Sequence, residues 1–224
     1  MRTRLMSAAL AASALLLLAG CAGATPESDA PISSGVDSAS AACAYPASGQ
    51  PAADVTPPTA DTERPTGDVA VTLETSAGAI PMTLTGARTP CTVESFVSLA
   101  QQQYFTDTTC HRLTTQNIYV LQCGDPTGSG RGGPGYTFAD ELDGSETYPA
   151  GTVAMANTGR PGTNGSQFFL VYADSTLPPS YTVFGTLSPE GLAVVEKIGQ
   201  AGVEGGGADG APATPVEITA VTVG

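Results

Sequence analysis

The chain has 224 residues and is acidic, with 21 Asp and Glu against 8 Lys and Arg, for a net charge of −13. Nothing basic is clustered, which argues against a nucleic-acid partner and leaves the acidity as a soluble, self-repelling surface. Five cysteines spaced unlike zinc-site pairs, with a single histidine, argue against a metal, and no cofactor is expected.

At the N-terminus, Arg2 and Arg4 precede an apolar run from Ala8 to Ala19 that closes on Leu18-Ala19-Gly20-Cys21. A basic start, a short apolar stretch and small residues describe an export signal over 1–20, too short for a comfortable membrane span. The cysteine after Ala-Gly is similar to a bacterial lipobox, in which Cys21 becomes the lipidated first residue; a plain cleaved signal is the alternative. Several acyl chains on Cys21 would hold the protein firmly on the cell membrane, outside the cytoplasm. Without Arg2 and Arg4 the balance becomes 21 acids against 6 bases, or −15.

Residues 21–66 are rich in Ala, Pro, Ser, Thr and Asp, with few large apolar side chains, and read as a disordered tether. Residues 67–224 then form one domain. In an exported protein Cys43, Cys91, Cys110 and Cys123 are free to form disulfides, and their pairing stays open.

Val69, Val71 and Leu73 alternate with polar or small residues, as do Ile80, Met82 and Leu84 after Ser76-Ala77-Gly78, which predicts a hairpin. Thr89-Pro90 starts a helix whose Val93, Phe96, Val97 and Ala100 share one face. Short strands are predicted at 109–114, 118–123, 135–139, 151–156, 166–172 and 181–187. A second helix starts at Ser188-Pro189 with Leu192, Val195 and Ile198 inward, and a last strand covers 216–223. Many strands with two helices suggest a closed β-barrel with helices over its ends.

The residues with chemical potential gather between Cys110 and Gly133, which holds His111, Arg112 and a glycine-rich tail. The motifs His111-Arg112, Gln122 with Gly124-Asp125, Met155-Ala156-Asn157, Asn164-Gly165-Ser166-Gln167-Phe168-Phe169 and Val183-Phe184-Gly185 follow in order. Over about residues 68–223 the chain thereby resembles the cyclophilins, the cyclosporin-binding family of peptidyl-prolyl cis-trans isomerases. The resemblance implies a mainly β fold, a closed eight-stranded antiparallel β-barrel capped by two α-helices. It implies Arg112 as the catalytic arginine, Gln122 as the glutamine beside it, and Asn157 as the asparagine whose backbone binds substrate. Phe169 would floor the proline pocket, while Gly130, Ala156, Thr158 and Gln167 would line the peptide groove. Tyr119 and Val120 stand where the family has an aromatic and an apolar residue, and Leu177 and Tyr181 match further pocket walls. The implied partners are proline-containing peptides and unfolded exported proteins, met by a monomer. Cyclosporin binding is expected to be weakened, because Thr176 stands where many members have a tryptophan.

The chemistry calls for these residue types in its own right. A prolyl amide rotates over a barrier of roughly 18–20 kcal/mol, and five decades of acceleration require lowering it by roughly 7 kcal/mol. No nucleophile or metal is needed. A cation that hydrogen-bonds the prolyl nitrogen as it becomes pyramidal stabilises the twisted amide over the planar one.

Other readings compete. Without the motifs, Arg112 would be a surface arginine paired with an acid such as Asp140 or Glu141. His111 suggests a general base, but no serine or cysteine constellation surrounds it, and alternation turns it from the face of Arg112. The run 128–135 lacks the Gly-Lys-Ser/Thr ending of a phosphate loop. A peptide-binding chaperone in which turnover is secondary, and a redox protein working through Cys110 and Cys123, are the alternative functions. The ten residues from Arg112 to Gln122 are two more than the family's common form, so the turn 114–117 is longer. Strand parity sends the thiols of Cys110 and Cys123 to opposite faces unless that longer turn carries a bulge.

Overall fold

The structure is a computed structural model and describes residues 42–224. The export signal over 1–20, lipidation of Cys21 and the tether up to residue 41 lie outside the described residues. No described helix is long and apolar enough to cross a membrane.

The opening hairpin forms β1 (Asp68–Thr75) and β2 (Gly78–Thr85), paired in unbroken register from Asp68↔Thr85 to Thr75↔Gly78. Helix α1 (Pro90–Gln101) follows, buried through Val93, Phe96, Leu99 and Ala100. Its first turn is not capped by Thr89, whose hydroxyl instead donates to the Thr85 carbonyl. The Glu141 carboxylate takes that role, accepting from the backbone N–H groups of Cys91 and Thr92 at 3.0 and 2.8 Å, where an anion suits the positive end of the helix.

Short strands come next: β3 (Thr108–Thr109), β4 (Arg112–Thr114), β5 (Val120–Cys123), β6 (Thr152–Met155), β7 (Phe168–Val171) and β8 (Val183–Leu187). Helix α2 (Pro189–Ala201) is capped by the Ser188 hydroxyl, which accepts from Gly191 N–H, and it buries Val195 and Ile198. The chain ends in β9 (Asp209–Gly210) and β10 (Glu217–Val223). The predicted strand at 135–139 makes only isolated bridges, Ala47↔Tyr136 and Phe138↔Asn164, and joins none of the sheet's ladders.

All ten strands join one antiparallel sheet in the order β3-β10-β1-β2-β8-β6-β7-β5-β4-β9. One face of nearly every strand feeds a single core that includes Leu73, Leu84, Leu121, Phe168, Phe184 and Ile218. A sheet whose distant strands share one interior must curl. The expectation of eight strands is corrected in its count, since ten take part, and among the described residues no ladder joins the two ends of the order. The strand expected at 109–114 is interrupted: Cys110 and His111 leave the ladder, so β3 pairs with β10 while β4 pairs with β5.

That interruption also decides the cysteines. Cys110 lies outside the regular strand, so parity does not carry through it, and its thiol meets Cys123 in the core as a disulfide with a Cα–Cα distance of 4.0 Å. A second disulfide joins Cys43 to Cys91 on α1.

The described part of the expected tether, 42–66, is packed against the domain. Tyr45 donates to the Cys91 carbonyl and the Glu94 carboxylate, and stands edge-on to Tyr136 and Phe138 at 5.5 and 5.6 Å. Burial and the Glu94 charge push the Tyr45 phenol far above its ordinary pKa, which keeps it a hydrogen-bond donor. The Gln102 amide clamps Thr56 both ways, accepting from its N–H and donating to its carbonyl. Composition hid this, because one disulfide and one tyrosine anchor a segment that has little apolar surface of its own.

Candidate active site

Pairing β4 with β5 sets Arg112 opposite Gln122, and pairing β5 with β7 sets Gln122 opposite Phe169. Alternation sends Leu113, Leu121, Phe168 and Leu170 into the core and leaves Arg112, Val120, Gln122 and Phe169 on the outer face. There Val120, Ala154, Phe169 and Val171 form a second apolar cluster with Tyr148.

This outer cluster bounds a cavity of about 220 Å³. Val120, Phe169, Leu177 and Tyr181 supply apolar walls, and Arg112, Gln122, Ala156 and Asn157 the rim. Phe169 and Tyr181 meet edge to face, with centroids 5.5 Å apart. Buried Tyr148 pins Tyr181, its hydroxyl donating to the Tyr181 carbonyl at 3.1 Å and accepting from its N–H at 3.0 Å.

Tyr119 is not in this cavity. It packs on the inner side against Tyr172, centroids 5.9 Å apart, and Ile118 lines the cavity in its place. The longer turn shifts which residues face out. Ile118 shares parity with Val120, a signal present in the alternation.

The Arg112 guanidinium is held on two sides. Its Nε and Nη2 each donate to the Asp209 carboxylate at 2.7 Å, and Nη1 donates to Gln122 Oε1 at 3.2 Å. Three of the five guanidinium N–H groups are thus engaged, leaving two to donate elsewhere. Gln122 Nε2 donates to Gln167 Oε1 at 2.8 Å, and Gln167 Nε2 to the Gly132 carbonyl at 2.9 Å. This relay fixes each amide's orientation in turn and ties the arginine to the loop beyond. Arg112 pairs with neither Asp140 nor Glu141. Asp209 was invisible in the sequence, an Asp-Gly in a glycine-rich stretch 97 residues away.

Asn157 spends its side chain on structure. Its Nδ2 donates to the Ser180 carbonyl at 2.8 Å and its Oδ1 accepts from Gly159 N–H at 2.9 Å. Its backbone N–H and carbonyl make no hydrogen bond among the described residues, and Asn157 lines the cavity, so both have capacity for a bound main chain.

A larger cavity of about 500 Å³ adjoins the first and shares Gln122, Ala156 and Asn157 with it. Gly130, Thr158 and Gln167 line this second cavity. Its loop is organised by Asp125, fully buried, whose carboxylate accepts from Thr127 N–H and Oγ1, Arg131 N–H and Gly132 N–H. Burial alone would raise the Asp125 pKa, but these hydrogen bonds outweigh it and hold the group below the usual carboxylate range. Gly132 is required there, because a Cβ would fall 1.9 Å from Asp125 Oδ1.

Both ring nitrogens of His111 are buried, and among the described residues neither has a well-formed hydrogen bond, Gln167 being its nearest polar neighbour. Burial pushes its pKa down, with the Asp125 charge working the other way without reversing it. A neutral imidazole without a well-formed hydrogen bond is poorly placed for proton transfer.

Two expected results arise here. Asp209→Asn removes the charge but keeps the shape, and is expected to lower kcat/KM for a proline peptide by about three- to tenfold with the denaturation midpoint unchanged. An unchanged kcat/KM would mean that Gln122 alone orients the guanidinium.

The second concerns pH. The hydrogen bond from Arg112 holds the Asp209 pKa below its ordinary value, and Asp209 in turn raises that of Arg112. A depressed carboxylate keeps its pair above the ordinary carboxylate range and loses it as pH falls through the folded pKa. With His111 neutral, kcat/KM should be flat from about pH 6 to 9 and decline only below about pH 4. An inflection below the ordinary histidine value of about 6.5 but above the carboxylate range would instead put His111 in the chemistry.

The family model described as cyclophilin type peptidyl-prolyl cis-trans isomerase matches residues 70–223. Probable peptidyl-prolyl cis-trans isomerase B of Mycobacterium tuberculosis is 56% identical over 166 residues, covering 68% of this chain and 54% of that protein. The chain therefore spans about half the length of that relative. Peptidyl-prolyl cis-trans isomerase A of the same organism is 38% identical over 183 residues, covering 72% of this chain and 96% of that one. Among solved structures, a cyclophilin type peptidyl-prolyl cis-trans isomerase of Cryptosporidium parvum, crystallised in the presence of the dipeptide Ala-Pro, matches with a TM-score of 0.61 at 28% identity. That match covers 69% of this chain and 98% of the other. With the family model matched from the first strand to the last, the chain belongs to the cyclophilin-type peptidyl-prolyl cis-trans isomerase family.

Proposed function

We propose that the protein is a peptidyl-prolyl cis-trans isomerase that turns Xaa-Pro bonds in exported proteins. The observation that carries this reading is a guanidinium fixed at the rim of an apolar cavity with two N–H groups uncommitted. A pyrrolidine ring enters between Val120, Phe169, Leu177 and Tyr181, which hold it while the preceding carbonyl rotates. The backbone of Asn157 pairs with the substrate main chain. As conjugation is lost, the prolyl nitrogen gains a lone pair, and Arg112 donates to it. That bond exists only in the twisted amide, so it lowers the barrier rather than merely tightening binding. Because Asp209 and Gln122 hold the donor in place beforehand, little reorganisation is needed at the moment of rotation.

Lipidation of Cys21 would keep this activity at the membrane surface, beyond the cytoplasm, after loss of residues 1–20; residues 22–41 would then give reach. The sheet is read as a barrel because β3, at one end of the strand order, and β4, near the other, are separated only by Cys110 and His111. No metal or cofactor enters the mechanism.

The test is the cis-to-trans rate of a proline peptide with and without the purified protein. Acceleration proportional to enzyme concentration is expected, and peptide binding without acceleration would favour the chaperone reading. Thr176 is exposed and offers a small side chain near Leu177. Cyclosporin is therefore expected to inhibit weakly, and a nanomolar inhibition constant would refute this.

A further inference from the structure

The segment 46–52 closes one side of the second cavity, and neither the alternation nor the motifs assign it any role. It runs beside 133–137 as an added strand, with Ser48 N–H donating to the Gly135 carbonyl, Ala52 N–H to that of Gly133, and Thr137 N–H to that of Pro46. The bridge Ala47↔Tyr136 lies within this run. Pro51 packs so closely that a Cβ on Gly135 would approach it to 3.0 Å. The Cys43–Cys91 disulfide and the Tyr45 contacts anchor the segment just upstream. It is a built wall.

That wall brings Ser48, Gly49 and Gln50 to the cavity that Arg131, on the loop organised by Asp125, also lines. Among the described residues, Gln50 makes no side-chain hydrogen bond, and Arg131 is exposed with no ion pair. Arg131 is the one charged residue among the described residues that line this cavity. The remaining lining is mostly backbone, hydroxyl and amide.

The two cavities share Gln122, Ala156 and Asn157, so they form a continuous path for one extended peptide. Alternate side chains of an extended peptide point the same way. With proline in the apolar cavity, an extended backbone would direct the side chain two residues away towards the polar one.

We propose that the strap 46–52 is a wall of a substrate subsite that takes an acidic side chain two residues from the proline, with Gln50 and Arg131 as its specificity-determining residues. The carboxylate accepts from the Arg131 guanidinium and from the Gln50 amide. The proposal rests on the isomerase reading above.

The test measures kcat/KM of the full chain on peptides carrying Glu, Ala or Lys two residues before the proline, and on a second set carrying them two residues after. In one of the two sets, Glu is expected to exceed Lys by about tenfold, with the ratio shrinking as ionic strength rises, because the guanidinium is exposed. Arg131→Gln should bring that ratio to about one, and Gln50→Ala should reduce it by about threefold. Equal rates for Glu and Lys in both sets would overturn the subsite, as would a Glu preference that both substitutions leave intact. The alanine peptides separate the two levels. If the unaltered protein accelerates them but shows no charge preference, the subsite alone falls. If it accelerates no peptide, the isomerase reading falls first.

Discussion

Arg112→Ala is expected to lower kcat/KM for a proline peptide by about a hundred- to a thousandfold, about 3–4 kcal/mol, the range typical of removing one preorganised donor from a transition state. Roughly 7 kcal/mol is needed for five decades of acceleration, so one hydrogen bond would supply about half. The remainder falls to the apolar walls that hold the ring and exclude water, which alanine leaves in place. KM should change little, because the donor meets its acceptor only once the amide has twisted. The side chain is 42% exposed and its partner Asp209 is 53% exposed, so the substitution opens no core cavity and stability should be nearly unchanged. Arg112→Lys should recover only a small part of the loss, since a single ammonium cannot satisfy Asp209, Gln122 and the substrate together. A loss below tenfold for Arg112→Ala, measured on folded protein, would remove this arginine from the centre of the mechanism.

The largest expected effect on stability comes from Cys110→Ala/Cys123→Ala. Both cysteines are buried in the core, 2% and 0% exposed, and they link positions 13 apart in the chain. Chain entropy puts the value of such a link at about 3 kcal/mol, which at about 2–4 °C per kcal/mol lowers Tm by roughly 6–12 °C. Alanine is the informative replacement, because serine would bury hydroxyls in an apolar interior. The disulfide also sits two residues before Arg112 and one after Gln122, so it fastens the strand pair that carries them. A modest fall in kcat/KM, under tenfold at 25 °C, should therefore accompany the loss of stability. An unchanged Tm in oxidising buffer would show that the link adds nothing to the folded state.

The parts of this molecule that were legible in the chain are those whose signal is local. Apolar alternation from Val69 to Leu84 placed the hairpin, and Pro90 and Ser188-Pro189 marked the starts of the two helices. Alternation also separated Phe168 from Phe169, sending the first to the core and the second to the outer cluster. Period-two reasoning worked wherever a strand was regular. It does not apply at Cys110, where the chain leaves the ladder between β3 and β4. At the proline cavity it favours Ile118, which shares the face of Val120, over Tyr119, which does not.

By itself, the amino-acid sequence determined the kind of chemistry: one arginine in a strand pair, apolar partners at alternating positions, and a glycine loop without phosphate-binding residues. Tertiary structure alone decided what holds that arginine and what narrows the groove. Asp209 reaches Arg112 from 97 residues away, and the strap 46–52 reaches 133–137 from more than 80. Neither contact leaves a periodic trace, because each depends on a sheet edge or a loop wall that exists only after the strands have paired. Composition marked residues 42–66 as too polar to fold alone, and that physical argument stands for an isolated segment. Joined by Cys43 to helix α1, the same residues need only a disulfide, a half-buried tyrosine and a few backbone hydrogen bonds to become part of the site.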